Sequence, residues 1–265
     1  MTRMPSYFIS HGGGPWPWVE NMRTTFAALE ASFKRLPGEL PERPKAVLMI
    51  SGHWEEQDAF TVMHAPAPPM LYDYYNFPPH TYEITYPAPG APALAERTAG
   101  LIAAAGLPSR LDDARGFDHG TFVPMAILWP DADMPLFQVS MRANYAPAEH
   151  FALGRALAPL RDDGVLIIGS GLSYHNLRAF GPAAKAPSMA FDGWLNDTLA
   201  LPAPARTTAL EGWESAPYAR QCHAREDHLV PLFAALGAAE DAPATRIYHE
   251  DDIYGGVTAS SWRFD

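Results

Sequence analysis

Three short segments of this chain are apolar at nearly every position: SYFIS at 6–10, AVLMIS at 46–51 and GVLIIG at 164–169. A strand that faces water on one side alternates apolar and polar residues. One that is apolar throughout needs protein on both faces. Between these runs lie stretches with helical spacing, such as Met22, Phe26, Leu29 and Phe33 on one face of residues 21–35. Further helices are expected at 93–105, 121–129, 148–160, 189–199 and 227–236. Further strands are expected at 135–140, 245–248 and 257–262. Strands that alternate with helices along a chain argue for an α/β fold. The expectation is a central, mostly parallel or mixed sheet flanked by helices on both faces. At 265 residues the chain has the length of one large domain, or at most two. No shift in composition marks a boundary, and 202–206 reads only as a surface loop.

The residues at the end of each apolar run matter more than the run itself. His11 comes directly after the first, His53 soon after the second, and His175 after the third and a short loop. In α/β sheets, ligand sites collect beyond the carboxyl ends of the strands. Neighbouring parallel strands would therefore bring these three rings to one place. His228 is expected to start an apolar helix, and His119 sits at another helix entrance in GFDHG. The ten histidines against one cysteine make imidazole the place to look for chemistry. His64, His80, His150 and His249 have no such position and read as ordinary histidines, with His80 set apart only by its aromatic surroundings. On a helix, His223 and His228 would face ~140° apart, so His223 reads as structural or exposed.

Residues 65–92 are dense in proline and aromatics, among them Tyr72, Tyr74, Tyr75, Phe77, Tyr82 and Tyr86. Long ordered loops in compact domains usually carry function.

Composition removes whole classes of partner. The net charge of −11 repels phosphate backbones and anionic lipid, so neither nucleic acid nor a membrane surface is expected. The single Cys222 excludes an internal disulfide and a cysteine-rich zinc module. No window holds the ~18 apolar residues of a membrane span, and no signal peptide is legible at the N-terminus. A cytoplasmic protein is expected. Gly12-Gly13-Gly14 lacks the Lys-Ser/Thr of a phosphate loop. Ile168-Gly169-Ser170-Gly171-Leu172 lacks the frame of a nucleophile elbow, so Ser170 reads as a turn residue.

The ordered set HGGGP at 11–15, SGHWE at 51–55, FP at 77–78, YPAPG at 86–90, GFDHG at 116–120, SYHNL at 173–177 and EDH at 226–228 resembles the class III extradiol ring-cleavage dioxygenases, and within them the DOPA 4,5-dioxygenase extradiol branch. The resemblance runs from about Ser6 to the C-terminus. It implies one catalytic domain over 1–265 and a non-haem metal held by histidines. Carried over by position, His11, His53 and His228 would be the metal ligands. His175 would be the acid/base or a fourth ligand, and His119 would line the pocket. The protocatechuate branch uses a glutamate as third ligand, where this chain places His228. An all-histidine site suits Fe(II), expected for activity, and also accepts Zn(II).

The implied reaction opens a catechol ring with O2 to a muconic semialdehyde-type product. It needs open coordination positions for the catechol oxygens and a group near neutrality that can take and return a proton. Trp16, Trp18, Tyr72 and Tyr75 are candidate walls for the flat ring. Arg142 and Arg178 are the cations best placed for a substrate carboxylate, though a catechol with a modest side chain suits this acidic chain better than a polyanion. Two other readings compete: a non-catalytic binding or adaptor protein of the same fold, and a zinc-dependent hydrolase whose nucleophile is metal-bound hydroxide.

Overall fold

The computed structural model describes residues 2–265. Ten strands are β1 (Ser6–Ser10), β2 (Ala46–Ser51), β3 (Glu55–Glu56), β4 (Phe60–Met63), β5 (Ser109–Asp112), β6 (Leu136–Gln138), β7 (Met141–Arg142), β8 (Val165–Gly171), β9 (Ala244–Ile253) and β10 (Val257–Phe264). The main sheet has the order β6-β2-β8-β1-β10-β9. Strands β6, β2, β8 and β1 are mutually parallel, whereas β10 runs antiparallel to β1 and β9 antiparallel to β10. The sheet is therefore mixed, and its parallel part contains all three of the fully apolar runs. Every residue of β1, β2 and β8 is buried, as strands covered on both faces must be.

The α-helices among the described residues are α1 (Glu20–Thr25), α2 (Ala27–Arg35), α3 (Pro92–Ala104), α4 (His119–Leu128), α5 (Pro147–Leu157), α6 (Pro159–Asp162), α7 (Lys185–Leu199), α8 (Ala203–Glu211), α9 (Ala219–Cys222) and α10 (Val230–Gly237). One face of the sheet carries α10, which packs on β8, β1, β2 and α5. The other carries α4 against β2 and β8, while α7 packs against β10 and β9. Adjacent residues of β8 display the two faces. A Cβ on Gly169 would meet the Pro231 carbonyl of α10, while the Ser170 hydroxyl reaches the Gly120 carbonyl of α4. No helix among the described residues is long and apolar enough to cross a membrane.

Several local expectations change. The helix expected at 21–35 is two helices meeting at Phe26, and 202–206 opens α8 instead of forming a loop. His228 does not start a helix: it lies in the turn before α10. Short strands β3, β4, β5 and β7 lie outside the main sheet in two parallel pairs, β3–β7 and β4–β5. Segments of two to four residues carry too little periodicity to be read from sequence.

Candidate metal centre and its supporting carboxylates

The parallel strands deliver their histidines to one edge. His11 comes after β1 and His53 after β2, and these strands flank β8. His228 arrives from the far side of β8. Gly171 allows this approach, since a Cβ there would lie 2.0 Å from the His228 carbonyl. The Leu172 amide then donates to that carbonyl at 3.0 Å. The turn after His11 needs Gly12 at φ +82, which makes room for the Trp16 indole beneath it. That indole N–H donates to the His11 carbonyl at 2.8 Å.

Three ring nitrogens converge. His53 Nε2 lies 3.2 Å from His11 Nε2 and 3.1 Å from His228 Nε2. Two imidazole nitrogens bound to one ion at ~2.0–2.1 Å and roughly right-angled or tetrahedral geometry stand about 3–3.4 Å apart. A ring nitrogen of His119 also comes within 4.8 Å of those of His11 and His53. Burial holds all three converging rings neutral. It drives His11 and His53 well below the usual histidine range, with neighbouring histidines pushing the same way, and brings His228 down to about 4. Neutral rings with lone pairs aimed at one point are the donor set a divalent cation takes.

Each ring is held from behind. The Ser170 hydroxyl donates to the Gly120 carbonyl at 2.5 Å and accepts from His11 Nδ1 at 2.9 Å, which leaves Nε2 as the unprotonated nitrogen. Ser170 is thus a strand residue supporting a ring, not a turn residue. The Asp73 carboxylate reaches His119 Nδ1 at 2.8 Å through one oxygen and His53 Nδ1 at 3.3 Å through the other. Asp227 Oδ1 faces His228 Nδ1 at 3.0 Å and His175 Nδ1 at 3.4 Å. Burial alone would raise both carboxyls. The histidine contacts outweigh it and leave both below the ordinary carboxylate range. A third carboxylate, Asp118, is fully buried and accepts from Ser51, Arg115 and Gln138 at 2.7–2.9 Å. Ser51 in turn accepts the His53 amide at 3.2 Å, tying the buried charge to the loop that carries the ring.

His175 stacks on His228 with ring centroids 3.5 Å apart and planes 22° apart. Its amide donates to the Cys222 carbonyl at 3.0 Å, and the buried His223 holds the same loop through the Ser173 carbonyl at 3.1 Å. His223 is therefore structural and fully buried. Cys222 is buried with its thiol pushed up to about 12 by desolvation, so it is no nucleophile. Of the aromatic candidates, Trp16 is a buried prop for His11 and Tyr75 points to solvent, 79% exposed. The Tyr74 ring meets His119 edge-on, with centroids 5.9 Å apart. Arg142 is tied to Gln57 and Glu149, and Arg178 lies on an exposed loop. The arginines beside His53 are instead Arg115 and Arg225, in a cavity of about 660 Å³ that Asp73 and Asp227 also line.

Sequence reading did not single out Asp73, Asp118, Ser51 or Arg115. Asp118 was visible inside GFDHG. Asp73 gave no signal beyond its place in the aromatic loop, because its partners are 20 and 46 residues away.

A strand-end cluster of neutral histidines backed by carboxylates, on a mixed α/β sheet, is a donor set that could hold a metal ion. The sequence profile of the family described as the catalytic LigB subunit of aromatic ring-opening dioxygenase matches residues 7–265. The chain belongs to this family, whose enzymes are metal-dependent extradiol ring-cleaving dioxygenases. It is 37% identical to a dioxygenase, tasH, of Hapsidospora irregularis, over 96% of this chain and 86% of that one. It is 35% identical to the 4,5-DOPA dioxygenase extradiol of Beta vulgaris, over 98% and 96%. The protein of the same name from Escherichia coli is 35% identical over 89% and 86%. A crystal structure of an uncharacterized Escherichia coli K12 protein superposes with a TM-score of 0.79, at 30% identity, covering 99% of this chain and 100% of that one.

Proposed function

We propose that residues 1–265 form one catalytic domain that opens a catechol ring with O2 to a muconic semialdehyde-type product, using a metal ion held by His11, His53 and His228. The observation that carries this reading is His53 Nε2 lying 3.2 Å from His11 Nε2 and 3.1 Å from His228 Nε2, with burial keeping all three rings neutral. Fe(II) there would supply the redox and Lewis-acid chemistry the reaction needs; Zn(II) fits the same nitrogens but is redox-inert.

His175 is the proton carrier in this reading and not a fourth ligand. Its ring is stacked on His228, and both Nδ1 atoms face the same Asp227 oxygen. The two Nε2 atoms therefore point side by side, not at one centre. From there His175 can take a catechol proton and return it during ring opening. His119 stands beside His53 at the site, with ring centroids 4.0 Å apart.

The substrate expected is a catechol with a modest side chain, the class named in the 4,5-DOPA dioxygenase relatives. The cavity arginines are already engaged, Arg115 by Asp118 and Arg225 by Glu55, so a polyanion finds no free cation cluster. We place the enzyme in the cytoplasm, consistent with its single free thiol.

The test is anaerobic loading with Fe(II), then oxygen uptake and the yellow semialdehyde across 3,4-dihydroxyphenylalanine, plain catechol and a carboxylated catechol. The His175→Ala protein should keep its metal and lose about 10²–10⁴ in rate. No turnover of any catechol by the loaded wild type would discard the dioxygenase reading.

A further inference from the structure

We propose that Asp73 is a positioning residue that fixes the tautomer of His119, so that the aromatic loop itself switches that ring into a proton acceptor facing the metal centre. The inference rests on the proposed function, in which His119 stands at the metal site beside His53.

The geometry decides the tautomer. Asp73 Oδ1 accepts the His119 backbone N–H at 3.0 Å and meets His119 Nδ1 at 2.8 Å. A backbone N–H can only donate, so this oxygen is an acceptor. The Nδ1 that shares it must then carry a hydrogen. With one hydrogen on the ring, that leaves Nε2 with the free lone pair, in a ring whose centroid lies 4.0 Å from that of His53 and 5.5 Å from that of His11. Losing the carboxylate would free Nδ1 to give up its hydrogen, and the Nε2–H form would present a donor where an acceptor is needed.

Asp73 belongs to the loop, not to the sheet. Tyr72 donates its hydroxyl to the Ile84 carbonyl at 2.6 Å and Tyr74 to the Thr81 carbonyl at 2.5 Å. Both partners lie within the same loop, so the aromatic side chains on either side hold Asp73 in place. The base of the loop is fastened to the segment that carries His119: the Leu71 amide donates to the Phe117 carbonyl at 2.9 Å, and the Phe117 amide to the Pro69 carbonyl at 2.8 Å. The ordered loop therefore delivers the carboxylate to His119. This assigns the Pro- and Tyr-rich segment a task beyond covering the ring.

The test uses the full chain, ¹⁵N-labelled at histidine and loaded with Zn(II), with long-range ¹H–¹⁵N correlation spectra and a His119→Gln spectrum for assignment. Wild-type His119 should show a protonated Nδ1 and a bare Nε2, and Asp73→Ala should shift it toward the Nε2–H form. A wild-type His119 already protonated at Nε2 overturns the proposal without any variant at Asp73, as does an unchanged tautomer in Asp73→Ala. With Fe(II), Asp73→Ala should lower kcat about 10–100-fold, the usual cost of a lost outer-shell partner, while KM changes less than about threefold. In a His119→Ala background the same change should cost under about threefold, because a residue that acts through another is not additive with it. Full cost retained in that background, or loss of bound zinc from Asp73→Ala, would assign the carboxylate to His53 and overturn the inference. If the wild type turns over no catechol, the reaction reading fails while the tautomer measurement still decides this one.

Discussion

His150 is buried and His53 half-buried, and desolvation keeps both rings neutral, yet they belong to regions built on opposite principles. His150, in α5, spends both nitrogens on the protein. Its Nδ1–H donates to the Ala146 carbonyl at 2.8 Å, and its Nε2 accepts the Arg142 amide at 3.1 Å, joining α5 to β7. At the strand ends His53 turns Nε2 toward two other bare nitrogens. Burial and a depressed pKa are common to both regions, so neither identifies a site. What separates them is whether the lone pairs are satisfied by the fold or left converging on one point.

The most severe way to test that contrast is to remove the ring at the centre of the convergence. His53→Ala should lose most of its bound metal on dialysis. Its affinity should fall by more than the roughly 10–100-fold expected when an outer-shell partner is lost. Activity should disappear with the metal, while thermal stability of the metal-free protein should stay close to that of metal-free wild type, because the half-buried ring meets only two other histidines through Nε2. Metal analysis beside a melting curve checks both halves. Full metal occupancy in His53→Ala would sink the ligand assignment.

The contrast also explains which parts of the molecule were legible in the sequence. The apolar runs of β1, β2 and β8 were plain because a strand covered on both faces cannot alternate. The histidines after them were plain because strand ends of parallel sheets gather ligands. His228 was noted by position, at the expected start of an apolar helix, and given its ligand role by resemblance; the helix does not begin there, since residues 227–229 form a turn packed closely on Gly171. Asp73 was not found at all. A carboxylate that supports two rings from a distant loop leaves no local spacing to read. His150 was rightly set aside, although nothing in its neighbourhood revealed that it is fully buried. The loss of Arg142 as a substrate contact has the same origin: its partners Gln57 and Glu149 come from separate segments.

On the satisfied side, His150→Ala should show the opposite pattern. Removing the ring orphans the Ala146 carbonyl and the Arg142 amide, each costing about 1–3 kcal/mol if left unpaired in the interior. A melting temperature lower by roughly 2–4 °C per kcal/mol is expected for a chain of this size. Metal content and kcat per folded molecule should match wild type. A His150→Ala protein that melts normally but loses metal would erase the distinction between the two regions.

The smallest effect is the pH dependence of the same ring, and its sign is set by linkage. Burial is the main cause that brings His150 down to about 4, against ~6.5 in an unfolded chain. Between those values the unfolded state binds more protons than the folded one, so stability falls as the pH falls. The contribution is fully present above pH ~6.5 and is lost progressively as the pH approaches 4, amounting to at most about 3 kcal/mol. Other buried histidines slope the same way, so the quantity to measure is a difference. His150→Gln keeps one donor and one acceptor but cannot titrate. Denaturant unfolding of metal-free wild type and of this variant should give curves that converge as the pH drops from 7 to 4.5, with the wild type losing stability faster. Parallel curves over that range would mean that His150 titrates alike in both states, and that the fold satisfies its ring no better than water does.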